Sequence, residues 1–291
     1  MRAVSTGKVC DDVMMLDYTT GIRAALNLKL SSGHGACYAG KVCSDGTVEE
    51  IPAEKGEGIE KVGNPKTQYA AGERGNRLQT PTVKKLANNE DTAEKVAWDC
   101  VWLGSYPQAE VVESAEAYTA IEKERLKAGD IIEDVELYKK LADTQDNDWD
   151  GNDIILDGER YRRIKQEDAT LKDSTFYHWE SGDVYHYFKY EPVKWRVLDV
   201  NGERAFLLSD IALDTQSYSI PGGDWKWENS GIRKWLNGYE MADENEKGHY
   251  KSKSFIKSAF TEEEKTAVAV TDVVNALGSD AGIEGGNDMQ D

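Results

Sequence analysis

Between Asp146 and Gly158 the chain reads DNDWDGNDIILDG, a run dense in hard oxygen donors. Asp146, Asp148 and Asp150 fall at places 1, 3 and 5 of a calcium loop, with Gly151 at the turn and Asn152 among the donors that follow. At place 12, where such a loop carries a bidentate Glu, stands the shorter Asp157, and Asp153 occupies place 8, which is usually apolar. Calcium is therefore the one cofactor the residue pattern suggests, as the anchor of a loop rather than a catalyst. The alternative reading of the same residues is a solvated turn leading into a strand, Ile154 to Ile164.

A second pattern is aromatic. Tyr218, Trp225 and Trp227 flank a loop opened by Pro221-Gly222-Gly223, where exposed rings would stack on sugars. Trp195 and Trp235 belong to apolar stripes and are expected in the core. The histidines His34, His178, His186 and His249 lack metal-ligand spacing. No glycine-rich phosphate loop, GxSxG elbow or spaced Cys/His arrangement is present, and no catalytic residue is assigned. Among Cys10, Cys37, Cys43 and Cys100, the local candidate for a bridge is Cys37 with Cys43, the other reading being free thiols.

The net charge of −19 opposes a phosphate backbone and makes nucleic acid or an anionic membrane surface an unfavourable partner. Cations are the favoured ionic partners. Residues 1–45 carry five basic and four acidic side chains, so the acidic excess lies beyond them. No apolar run reaches the roughly 20 residues of a membrane helix, so no membrane insertion is expected in this segment, and no signal peptide is read at the N-terminus.

These side chains need elements to hold them. GIRAALNLKL, Gly21 to Leu30, alternates Ile22, Leu26, Leu28 and Leu30 against Arg23, Asn27 and Lys29, the pattern of a half-buried strand. Residues 46–95 are polar and glycine-containing, which predicts a flexible linker. Val96 to Gln108 reads as a strand ending at Tyr106-Pro107. Helices are expected around Val111, Ala115, Tyr118 and Ile121, and around Ile131, Val135, Tyr138 and Leu141 with Asp130 as cap. Pro192 to Ser209 reads as a hairpin turning at Asn201-Gly202. NSGIRKWLNG at 229–238 and FTEEEKTAV at 260–268 read as short helices, the second with a Thr261/Glu264 capping box. Strands followed by short helices, breaking off in a polar run at 282–291, predict an incomplete α+β domain of antiparallel strands.

The motifs LGSYPQ (Leu103 to Gln108), YEPVKWRVLDVNGERAFLLSDIALDTQSY (Tyr190 to Tyr218), WENSGIRKWLNG and AFTEEEK occur together in that order. In this the chain resembles the bacterial module family called domain of unknown function 6273, found in large, often repetitive surface proteins of gut Firmicutes. The resemblance runs over 96–291, as the N-terminal part of one module. GIRAALNLKLSSG and YAGKVCSDG are similar to the segment that closes the same module, so residues 1–45 are expected to be the tail of a preceding one. Were the ends genuine, Gly21 to Leu30 would instead close the later domain as a permuted strand. A more distant resemblance is to the C-type-lectin-like fold of formylglycine-generating enzymes, whose catalytic cysteine pair has no counterpart here.

The resemblance implies a non-catalytic module of a secreted or cell-surface protein that binds a carbohydrate or protein ligand. The alternatives are an enzyme-like domain of the formylglycine-generating type, with its active site in a missing half, and a structural spacer in a repetitive surface protein.

Overall fold

The computed structural model describes residues 4–5, 8–9, 20–30, 35–55, 78–85, 94–114, 116, 130–165, 185–216, 218, 226–240, 253–273 and 289–290. The strands of the main sheet and of one two-stranded sheet, β1 with β12, are β1 (Thr20–Ile22), β2 (Ala25–Lys29), β3 (Cys37–Cys43), β4 (Val48–Glu50), β5 (Thr82–Lys85), β6 (Glu94–Val112), β7 (Ile131–Glu133), β8 (Asp153–Leu156), β9 (Glu159–Lys165), β10 (Tyr185–Asn201), β11 (Arg204–Ser209), β12 (Asp214–Gln216) and β13 (Val268–Ala269). The helices are α1 (Val135–Ala142), α2 (Gly231–Asn237), α3 (Phe255–Ala259) and α4 (Glu262–Ala267). Most strands are antiparallel and the helices are short, an α+β arrangement.

The main sheet runs β13-β2-β11-β10-β6-β3-β4. Its spine is the pair β6 and β10, in register from Tyr187 opposite Val111 to Arg196 opposite Cys100. The β8-β9 hairpin joins the first half of β10, β5 lies beside the start of β6, and β7 pairs with the end of β6 in parallel. Alternation sets the faces. Val101, Leu103, Val193, Trp195, Val197 and Leu207 are almost wholly buried on one side, against Ile232 and Trp235 of α2 and Phe255 and Ala259 of α3. Trp195 stacks on Phe260 at 6.1 Å between centroids and donates from its indole nitrogen to the Leu103 carbonyl at 2.8 Å. The expected core roles of Trp195 and Trp235 are met.

The sheet crosses the domain boundary expected within 46–95. The strand expected at Gly21 to Leu30 is present as β1 and β2, and β2 pairs with β11 from Ala25 opposite Leu208 to Lys29 opposite Arg204. β3 pairs with β6 through Cys37 opposite Trp102. Residues 25–43, from the segment 1–45 expected to be the tail of a preceding module, thus share one sheet with β6, β10 and β11. Leu28, 0% exposed, belongs to the same core as Trp195.

Other expectations shift by a few residues for local reasons. β6 does not stop at Tyr106-Pro107: Pro107 lies opposite Tyr190 where the register slips, and a bulge tolerates a residue without an N–H. Val111, expected in a helix, is a strand residue buried against Tyr187, while Ala115, Tyr118 and Ile121 lie outside the described residues. The next helix begins only at Val135, because Asp134 rather than Asp130 caps it, accepting from the Glu136 and Leu137 amides at 3.0 and 2.9 Å. The β10-β11 turn consists of Gly202 and Glu203, with Asn201 paired to Arg204, and Gly202 alone supplies a positive φ of 60°. Glycine first and an ordinary residue second is the pattern of a type II′ turn. α2 and α4 form as expected, with Ser230 as cap, Gly238 ending α2 at φ 72°, and the Thr261/Glu264 capping box closed in both directions.

Candidate functional site

The Asp146–Gly158 run does not close into a calcium loop. Residues 146–148 form a single 3-10 turn, Asp150 and Asp153 bridge one another, and the chain then leaves as the β8-β9 hairpin. That hairpin turns on Asp157-Gly158, both at positive φ (54° and 86°), which carries Asp157 away from Asp146. The strand expected over Ile154 to Ile164 is thus two strands and a two-residue turn. Its carboxylates are taken up separately: Asp146 by Arg163 at 2.6 Å, Asp150 by Lys253 at 3.3 Å and Asp157 by Lys140. Asn152 contributes its carbonyl to the Arg163 amide at 2.8 Å. Asp148 is exposed. Among the described residues no three His, Cys, Asp or Glu side chains converge as a metal site.

The electrostatic centre is instead Asp153, the residue that fits a calcium loop least. Its side chain is 7% exposed and accepts from Arg162 Nε at 2.7 Å, Arg162 Nη2 at 3.1 Å, Arg160 Nη2 at 2.9 Å and Tyr190 Oη at 3.1 Å. Lys253 Nζ lies at 3.4 Å. Burial pushes the Asp153 carboxyl up, but the hydrogen bonds and charges of Arg162 and then Arg160 outweigh it and hold the group at about 2. Arg162 also donates to Ser258 Oγ at 3.1 Å, and Arg160 to the Ser258 carbonyl at 3.0 Å, tying the β8-β9 hairpin to α3. A cross-strand signal existed for this cluster, since Arg160 and Arg162 alternate onto one face of β9 and Asp153 faces Arg162 directly. Reading 154–164 as one strand hid it.

A second buried polar pair adjoins this cluster. Tyr106 Oη donates to Asp214 Oδ2, and Asp214 Oδ1 accepts from the Thr215 amide at 2.6 Å. Burial raises both groups above their ordinary ranges, and the nearby Arg162 charge opposes that rise in each. Glu110 and His186, both largely buried, approach to 2.5 Å across β6 and β10.

Of the expected aromatic site, Trp225 lies outside the described residues. Tyr218 and Trp227 do come together, half-buried, with centroids 6.5 Å apart and planes inclined at 41°. They are fixed from below: the Tyr218 carbonyl accepts from the Ile232 amide at 3.1 Å, and the Trp227 carbonyl accepts from Ser230 Oγ at 2.9 Å. Both rims rest on the Trp235 core. Cys37 and Cys43 stand at opposite ends of β3, about 20 Å apart at the rise of a strand, so the candidate bridge does not form. His34, His178, His249 and Cys10 lie outside the described residues.

These features define an antiparallel module with a sheet-and-helix core, a buried arginine–aspartate clamp and an aromatic edge. Residues 202–291 match the model of the family described as Domain of unknown function (DUF6273). The resemblance to that family holds over this stretch, which begins in the β10-β11 turn and takes in β11 and α2 to α4. No curated protein and no solved structure matches the chain. No helix among the described residues is long and apolar enough to cross a membrane.

Proposed function

We propose that the chain is a non-catalytic binding module of a secreted or cell-surface bacterial protein, taking a carbohydrate at the edge formed by Tyr218 and Trp227. The observation that carries this reading is the inclined Tyr218–Trp227 pair. Hydrogen bonds fix the main chain of both residues at the entry to α2, and the two half-buried rings pack on the Trp235 core, so they lose little side-chain freedom when a sugar ring stacks on them. The C-type-lectin-like comparison belongs to the same proposal, as does the surface location, which rests on the family resemblance. A glycan array probed with the full chain tests it. Binding to a neutral glycan that is lost in Trp227→Ala, with the melting temperature retained, supports the reading; binding that survives Trp227→Ala sinks it.

A spacer reading is favoured by one observation, the Asp153 clamp. Locking a hairpin to a helix by buried charge serves rigidity. Absence of binding to any glycan or protein in a broad panel would leave this reading.

A further inference from the structure

The chain contains two Asn-Gly pairs, Asn201-Gly202 and Asn237-Gly238, and the fold treats them in opposite ways. In such a pair the glycine main-chain nitrogen has access to the asparagine side-chain carbonyl carbon, because no side chain on the glycine stands in the way. At 237–238 both reacting groups are engaged. Asn237 ends α2 and donates from Nδ2 to the Arg233 carbonyl at 3.0 Å, while the Gly238 N–H donates to the Lys234 carbonyl. A Cβ placed on Gly238 would lie 3.0 Å from Ile256 and from Ser254, so the segment is also packed from outside.

At 201–202 both groups are open. Asn201 and Gly202 are exposed at the tip of the β10-β11 hairpin, and nothing lies within 4 Å of the space a Gly202 side chain would fill. The ladder closes at Asn201 and Arg204, so Gly202, the first of the two turn residues, keeps its N–H out of it. The surrounding charge favours reaction as well. Asn201, Arg204 and Lys29 form one cross-strand row over β10, β11 and β2, and the two cations bond to main-chain carbonyls, Arg204 to Val270 at 3.3 Å and Lys29 to Thr266 at 2.9 Å. Neutral acceptors leave that positive charge in place, and a cation beside a nitrogen that must lose its proton makes the loss easier.

We infer that Asn201 is a site of spontaneous deamidation in the folded chain, while Asn237 is held intact. The Gly202 nitrogen gives up its proton and bonds to Cγ of Asn201; the Cγ–Nδ2 bond breaks and ammonia leaves with that proton, so that a cyclic imide forms. Solvent water then opens the imide at either carbonyl, giving aspartate or isoaspartate at position 201. The aspartate product faces Arg204 across the ladder as a pair of opposite charge. The isoaspartate product lengthens the main chain by one methylene close to Glu203, whose carbonyl accepts from the Leu30 amide at 2.8 Å, and so loosens the end of β2.

Peptide mapping by mass spectrometry tests this on the full chain aged in mildly alkaline buffer, with a parallel sample in urea. In urea the two pairs should deamidate at similar rates. In the folded chain Asn201 should convert while Asn237 lags by roughly tenfold or more, since two hydrogen bonds must open there first. An unconverted Asn201 in the folded chain, or a rate equal to that of Asn237, overturns the inference. The isoaspartate fraction, separated by chromatography, should melt below Asn201→Asp, which carries the same charge on a main chain of ordinary length. Equal melting overturns the consequence drawn for β2.

Discussion

Asp153→Asn isolates the charge at the centre of the clamp while keeping the side chain's shape. In the native chain this carboxylate neutralises Arg162, whose side chain is 5% exposed, and shares Arg160, Tyr190 and Lys253. Without it Arg162 is a buried cation whose remaining acceptors, the introduced amide oxygen and Ser258 Oγ, are neutral. Breaking a buried pair in this way costs about 3–5 kcal/mol, mostly from the stranded charge. The pH dependence supplies an independent magnitude. A carboxyl held at about 2 rather than its ordinary value near 4 contributes on the order of 2 kcal/mol. Because the folded value is depressed, that contribution is complete above roughly pH 5 and is lost as pH falls towards 2. Urea unfolding of the full chain at pH 7 should therefore show the variant destabilised by several kcal/mol. Repeated between pH 5 and 2.5, the wild type should lose stability that the variant no longer has to lose. A difference below about 1 kcal/mol at pH 7, or parallel acid dependences, would refute the account of the clamp.

Three further outcomes follow from the geometry. Gly104→Ala places a Cβ 2.5 Å from the Ala259 carbonyl at a φ of +70°, so urea unfolding should show a loss of about 2 kcal/mol or more. Melting temperature should be the same in calcium and in chelator, since Asp146, Asp150 and Asp157 are paired with three different cations; a calcium-dependent rise abolished by Asp146→Ala with Asp148→Ala would restore the loop reading. Residues 202–291 expressed alone should give no cooperative transition by circular dichroism, because β11 would lose both β10 and β2, its partners on either side.

The parts of the fold legible in the sequence are those decided by neighbours in the chain. Ser230, Gly238 and the Thr261/Glu264 box cap helices through contacts a few residues apart, and the Trp195 and Val197 alternation marks a buried face without any knowledge of what covers it. What failed depends on partners far away. Pro107 ends a strand by local rules and is passed over because Tyr190 meets it at a bulge. Asp130 is a good cap by local rules, but its carbonyl is engaged by the Glu110 amide in the pairing of β6 with β7, and Asp134 caps the helix instead. The polar stretch 46–95 reads as a division between domains, yet β3 before it and β6 after it share a ladder. Composition describes a segment's own solubility and not the pairing of the strands it joins.

The same distinction separates the two readings of the aspartate run. A calcium loop needs its carboxylates to turn inward on one point, and spacing alone cannot distinguish that from carboxylates turned outward to different cations. The deciding residues are basic ones, Lys140 before the run, Arg160, Arg162 and Arg163 just after it, and Lys253 about a hundred positions later. Asp-Gly at 157–158 is the local sign that favours the hairpin, since it supplies two successive positive φ angles and sends Asp157 to the tip. Asp153, the misfit at place 8, then becomes the one carboxylate facing inward, across the strand from Arg162. An acidic run followed within ten residues by three arginines, two of them in alternating strand positions, carries its counterions with it. Through Arg160 and Arg162 the segment becomes a fastening between the β8-β9 hairpin and α3.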